Sequence, residues 1–76
     1  MADAKQILEQ YFFEMRWRCL SLAADLDRVE RADGGKSLLE SDVRLQKLRA
    51  AIDVLNKPAG PGRAEQVQMI FSDKSQ

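Results

Sequence analysis

The stretch YFFEMRWRCLSLAADL, from Tyr11 to Leu26, decides the fold because it is apolar on two sides of a single helix. It lies within a longer run, about residues 3–31, that has no proline or glycine and is rich in leucine, alanine, glutamate and arginine. This composition favours one continuous helix. At a rise of 1.5 Å per residue, the predicted helix 1 is about 43 Å long.

Two glycine-bearing segments interrupt the rest of the chain. They are ADGGK at residues 32–36 and KPAGPG at residues 57–62, and neither suits a helix interior. Between them we predict helix 2 over about residues 37–56, opened by a capping box of Ser37 and Glu40. Gly34 is the predicted left-handed cap that ends helix 1. A short helix 3 over about residues 63–71 follows, and residues 72–76 are predicted to fray.

One side of helix 1 carries apolar residues at alternating steps of four and three, the spacing that keeps a seam against a partner helix. We name this seam the front stripe: Leu8, Phe12, Met15, Cys19, Leu22, Leu26 and Val29. Helix 2 repeats the pattern at Leu38, Ser41, Leu45, Leu48, Ile52 and Leu55. Folding back at residues 32–36 would pair Leu22 with Leu45, Cys19 with Leu48 and Phe12 with Leu55 in a long antiparallel hairpin. A slip by one heptad would also align the seams, but the short connection argues against it.

A second apolar stripe lies roughly opposite the front stripe, since successive residues turn by about 100°. We name it the rear stripe: Phe13, Trp17, Leu20 and Ala24. A two-helix hairpin covers only one side of helix 1, so this stripe needs another cover. Helix 3 could fold back over Phe13 and Trp17, or a second chain could pack there. We favour the second chain because a helix of about 12 Å is too short to reach Ala24 as well.

The sequence therefore predicts an all-α protein of one domain, residues 1–76, in which a long helical hairpin and a short third helix assemble into a bundle. We expect its work to be protein interaction, as a homo-oligomer, with a dimer favoured, or with a helical protein partner. The predicted interaction surface is Tyr11, Phe13, Trp17, Leu20 and Ala24, with a polar rim of Arg16, Arg18 and Arg49.

Composition supports assembly over other ways of stabilising a small chain. With 76 residues a monomer buries too little surface to be more than marginally stable. There is no histidine and one cysteine, which argues against a zinc site or an internal disulfide. The chain is 45% hydrophobic and 32% charged, which is typical of a globular protein. No signal peptide or membrane span is apparent, so we expect a soluble, cytoplasmic protein.

Catalysis and cofactor binding find little support in the residues present. Histidine, the commonest general base, is absent, and Cys19 falls on the front stripe, where a thiol acts as a small hydrophobe. No glycine-rich phosphate loop occurs, so we expect no cofactor, no metal and no enzyme activity.

The string Arg16-Trp17-Arg18 suggests an alternative, a small nucleic-acid-associated regulator that also uses Arg44 and Arg49. Against it, 12 basic residues balance 12 acidic ones, and Arg16 and Arg18 point to opposite flanks of helix 1. Arginine and tryptophan are also enriched at protein interfaces, so a protein partner is favoured.

Overall fold

The computed structural model describes residues 2–57, 60 and 62–72. These residues form four helices and no strand: α1 (Ala4–Arg31), α2 (Gly35–Ser41), α3 (Val43–Leu55) and α4 (Arg63–Ser72). The all-helical class is therefore confirmed. The predicted breaks at Pro58 and Pro61 and most of the predicted frayed tail lie outside the described residues, although Ser72 itself closes α4.

Helix α1 begins and ends within a residue of its predicted limits. A capping box at its start, which the sequence analysis did not identify, joins Asp3 and Gln6. The Gln6 amide donates to Asp3 Oδ1 at 2.9 Å, and the Asp3 amide donates to Gln6 Oε1 at 3.0 Å. At the other end Arg28 and Arg31 occupy the last turn, where positive charge suits the helix dipole.

The turn after α1 differs from the prediction in its caps. Gly34 is left-handed, with φ of 77°, but it is the N-cap of α2, while Ala32 caps the end of α1. The predicted Ser37 capping box does not form because α2 already begins at Gly35. Ser37 lies inside that helix, where its carbonyl accepts a hydrogen bond from Ser41 Oγ at 2.8 Å.

The predicted helix 2 is in fact two helices, divided at Asp42. The backbone of Asp42 is extended, with ψ of 129°, and its amide closes α2 by donating to the Leu38 carbonyl. Its carboxylate accepts from the Arg44 amide at 2.8 Å and so caps α3. A short acidic side chain that satisfies a free amide favours a helix start over a helix interior.

The helices pack in chain order, α1 with α2, α2 with α3, and α3 with α4. Within the described residues no close backbone contact joins α1 to α3, so the long hairpin stays a prediction. Leu48 lines a cavity of about 220 Å³ together with Leu26. Leu26 lies one heptad after Cys19, the residue with which Leu48 is predicted to pair. The separate α2 takes up seven residues between the turn and α3.

Little of the chain is buried. Ala51, 5% exposed, is the single buried hydrophobic residue among those described. The radius of gyration is 15.2 Å, against about 11 Å for a compact domain of this length. The accessible surface of 6643 Å² likewise exceeds the roughly 4,700 Å² of a compact monomer of this mass. The described residues therefore form almost no buried core.

Candidate interaction surface

The first two thirds of α1 extend beyond the rest of the molecule. Every residue from 4 to 20 is exposed, and half-burial begins only at Ser21 and Leu22. We call residues 4–20 the projecting segment. It is about 25 Å long at 1.5 Å per residue.

The projecting segment carries an unusual density of large apolar side chains. Eight of them are between 46% and 77% exposed: Ile7, Leu8, Tyr11, Phe12, Phe13, Met15, Trp17 and Leu20. They occupy both sides of the helix, because Leu8, Phe12 and Met15 belong to the front stripe and Phe13, Trp17 and Leu20 to the rear. A soluble helix normally presents one apolar face, and a helix apolar on two sides is normally buried.

The rear stripe is the most exposed part of this surface. Phe13 is 77% exposed and Trp17 is 65% exposed, while Ala24 is half-buried. The Phe13 ring meets the Phe12 ring edge to face, with centroids 6.1 Å apart, and so links the two stripes. Helix α4 packs on α3, so the predicted alternative in which the third helix covers Phe13 and Trp17 is not found among the described residues.

Tyr11 belongs to the predicted interaction surface together with Phe13 and Trp17, but it lies apart from the rear stripe. It lines a shallow groove of about 510 Å³ on the front side of α1, together with Ala4, Ile7, Leu8, Met15 and Arg18. Cys19 is exposed as well, rather than packed against Leu48. The front stripe is thus open over its N-terminal part and half-buried at Leu22, Leu26 and Val29, near the chain's own α2 and α3.

The arginines singled out in the sequence are dispersed. Arg18 donates to Glu14 at 2.8 Å, and Arg44 pairs with Asp42 at 3.0 Å. Arg49 lines a cavity that is also lined by Asp27 and Glu30. These two acidic residues lie more than two helical turns along α1 from Arg18, so Arg49 and Arg18 are far apart. Arg16 makes no ion pair with a described residue. These side chains form no continuous basic patch, because carboxylates are interspersed with them.

Two chemical features complete the description of the surface. Residues 2–57, 60 and 62–72 contain no cluster of three or more acidic or cysteine side chains that could hold a metal ion. In the same part of the chain no helix has both the length and the apolarity to cross a membrane.

Comparison of the chain with protein-family models, with curated proteins and with solved structures finds no match. The function must therefore be argued from the surface itself.

Proposed function

We propose that this protein is a non-catalytic helical interaction module whose projecting segment assembles with other helices into a bundle. The observation that carries the proposal is the exposure of eight large apolar side chains on one helix, a stretch that the other described residues leave exposed. Coverage of both stripes requires at least one further helix on each side of α1, which is the geometry of a helical bundle.

Helix stability leads to the same proposal. Isolated helices shorter than about 12–15 residues are marginal in water, and most helical stability in proteins comes from packing an apolar face. The projecting segment is only slightly longer than this limit, and all of its residues are exposed with respect to the described part of the chain. It therefore gains its packing by binding, and the rear stripe with Trp17 at its centre has the residue type most common in interface hot spots.

The single tryptophan provides a direct test. Because Trp17 is 65% exposed in one chain, its emission should shift to shorter wavelength as concentration rises and assembly buries the indole. Trp17→Glu should remove the association made through the rear stripe. In far-ultraviolet circular dichroism it should lose at most the helical signal of residues 4–20, while the signal of the remaining helices is kept. Gln68→Glu is the matched control: it adds the same charge at an exposed position on α4 and should associate like the wild type.

The proposal fails if the wild-type chain is fully helical and monomeric at the highest concentration reached, with unshifted emission. That result would mean that the projecting segment is stable without any cover. Retained association in Trp17→Glu would remove the rear stripe from the interface. Binding to nucleic acid that weakens steeply with salt, with no self-association, would instead favour the regulator.

A further inference from the structure

The front stripe is divided into a part that the chain covers and a part that it leaves open. Leu22, Leu26 and Val29 are half-buried, whereas Leu8 and Met15 are 51% exposed beside an apolar groove. Resting on the proposed function, we infer that the occupant of the open part is the α1 helix of a second copy, running antiparallel. Phe12 then packs against the partner subunit's Met15, and Leu8 packs against the partner subunit's Cys19.

The exposed surface area of the chain is large enough for an interface with a second copy. The chain exposes about 1,900 Å² more surface than a compact monomer of its mass. Obligate dimers bury about 1,000 Å² or more per subunit. One antiparallel partner on the front stripe can therefore account for about half of the excess, and the rear stripe stays open to a further helix of the bundle. A small ligand or a short peptide would leave most of the excess exposed.

Charge selects one register of the pair. In an antiparallel coil, the side chains flanking the seam face the equivalent flank of the other helix. With Phe12 against the partner subunit's Met15, Glu9 lies beside the partner subunit's Arg16, and two-fold symmetry repeats this contact. Neither Glu9 nor Arg16 makes an ion pair with a described residue of its own chain, so both are available. On the other flank Tyr11 lies beside the partner subunit's Arg18, a cation–π arrangement.

The neighbouring registers are disfavoured by like charge. A shift by one heptad in one direction places Arg16 beside the partner subunit's Arg16 and Arg18 beside the partner subunit's Arg18. A shift in the other direction places Glu9 beside the partner subunit's Glu9. Parallel pairing brings no acid opposite a base and stacks Cys19 on the partner subunit's Cys19. The antiparallel register is thus the one in which the flanking charges attract.

The length of the overlap also agrees with the burial pattern. In this register the two α1 helices overlap from Ala4 to Ala23, and half-burial by the chain's own helices begins at Ser21. The second α1 therefore ends within three residues of the start of the chain's own cover. At the ends of the overlap a large residue, Leu8, meets a small one, Cys19 of the partner subunit, which favours close packing.

Disulfide trapping tests this geometry. A disulfide requires Cα atoms closer than about 7 Å, which the register predicts for residue 8 and residue 19 of opposite chains. Under mild oxidation, Leu8→Cys should shift from the one-chain to the two-chain band on a non-reducing gel, through two bonds to Cys19. The wild type, whose two Cys19 residues are about 16 Å apart along the axis, should remain one chain.

Phe13→Cys is the control that distinguishes the front stripe from the rear stripe. Residue 13 lies close to the two-fold axis along the helix, but it is on the rear stripe, so this variant should not cross-link. Wild-type cross-linking would overturn the proposal in favour of a parallel pair. Cross-linking of Phe13→Cys, or none in Leu8→Cys although light scattering shows a dimer, would overturn the front-stripe register while the proposed function stands. A monomeric mass for every variant and for the wild type would overturn both.

Discussion

Replacing Gly35 with alanine tests the joint that brings α2 back against the end of α1. Gly35 is buried, and a Cβ atom placed there would overlap the backbone carbonyl oxygen of Val29 and lie 2.8 Å from that of Glu30. The second distance is roughly 0.7 Å short of the ~3.5 Å at which heavy atoms make favourable contact. Both oxygens belong to the backbone of α1, so no side-chain rotation relieves the clash, and α2 must move away.

The expected cost follows from this geometry. Overpacking that forces a backbone shift costs about 1–3 kcal/mol and occasionally more, and here two backbone atoms oppose the new methyl group. We expect a loss of about 3 kcal/mol in the free energy of unfolding, a large part of the stability of so small a domain. Urea unfolding followed by far-ultraviolet circular dichroism, at one fixed protein concentration, measures it.

Gly34 provides the matched control because a substitution there strains the backbone without a steric clash. A Cβ atom at Gly34 meets nothing within 4 Å, but the φ of 77° is left-handed. Gly34→Ala should therefore cost only about 1–2 kcal/mol, and Gly34→Asn should cost less because asparagine tolerates this conformation. The reasoning is refuted if Gly35→Ala is as stable as the wild type or is less damaging than Gly34→Ala.

Further predictions concern the cap of α3 and the proposed dimer. Asp42→Ala should lower the thermal midpoint more than Asp42→Asn, because asparagine retains an oxygen that accepts from the Arg44 amide; equal midpoints would contradict the cap. Hydrogen bonds from Arg44 hold the pKa of Asp42 below its usual value, so its stabilising effect is present above the ordinary aspartate pKa of about 3.9 and is lost as pH falls through the lowered pKa. The difference in midpoint between the wild type and Asp42→Asn should accordingly shrink in acid, and a difference independent of pH would argue against the charge. Glu9→Arg and Arg16→Glu should each weaken dimerisation roughly fivefold in sedimentation equilibrium, and the double variant should recover it; additive losses would contradict the register.

The sequence was sufficient to predict the ends of α1 and the presence of α4. Both follow from local signals, the absence of proline and glycine and the periodic apolar residues, and these do not depend on the rest of the fold. Asp42 was harder to interpret, because an acid within an apolar periodic run also fits a solvated helix face. Its role became clear only when the side chain was seen to accept from the Arg44 amide.

The register of the hairpin could not be fixed from sequence for a physical reason. The front stripe repeats every seven residues, so pairings that differ by one heptad bury similar side chains. From the seam alone, Leu48 could match Cys19 or Leu26 equally well, and in the structure Leu48 and Leu26 line the same cavity. Tyr11 and Phe13 lie on different sides of α1 although they are close in sequence, so the predicted interaction surface extends over both sides of the helix.

The central claim is that a second copy of the chain covers the projecting segment. Molar mass by light scattering after size exclusion, over a wide range of concentration, tests it most directly. The account predicts at least twice the 8.6 kDa of one chain, with dissociation on dilution accompanied by a loss of helical signal. A mass of one chain at every concentration, with the full helical signal retained, would contradict it.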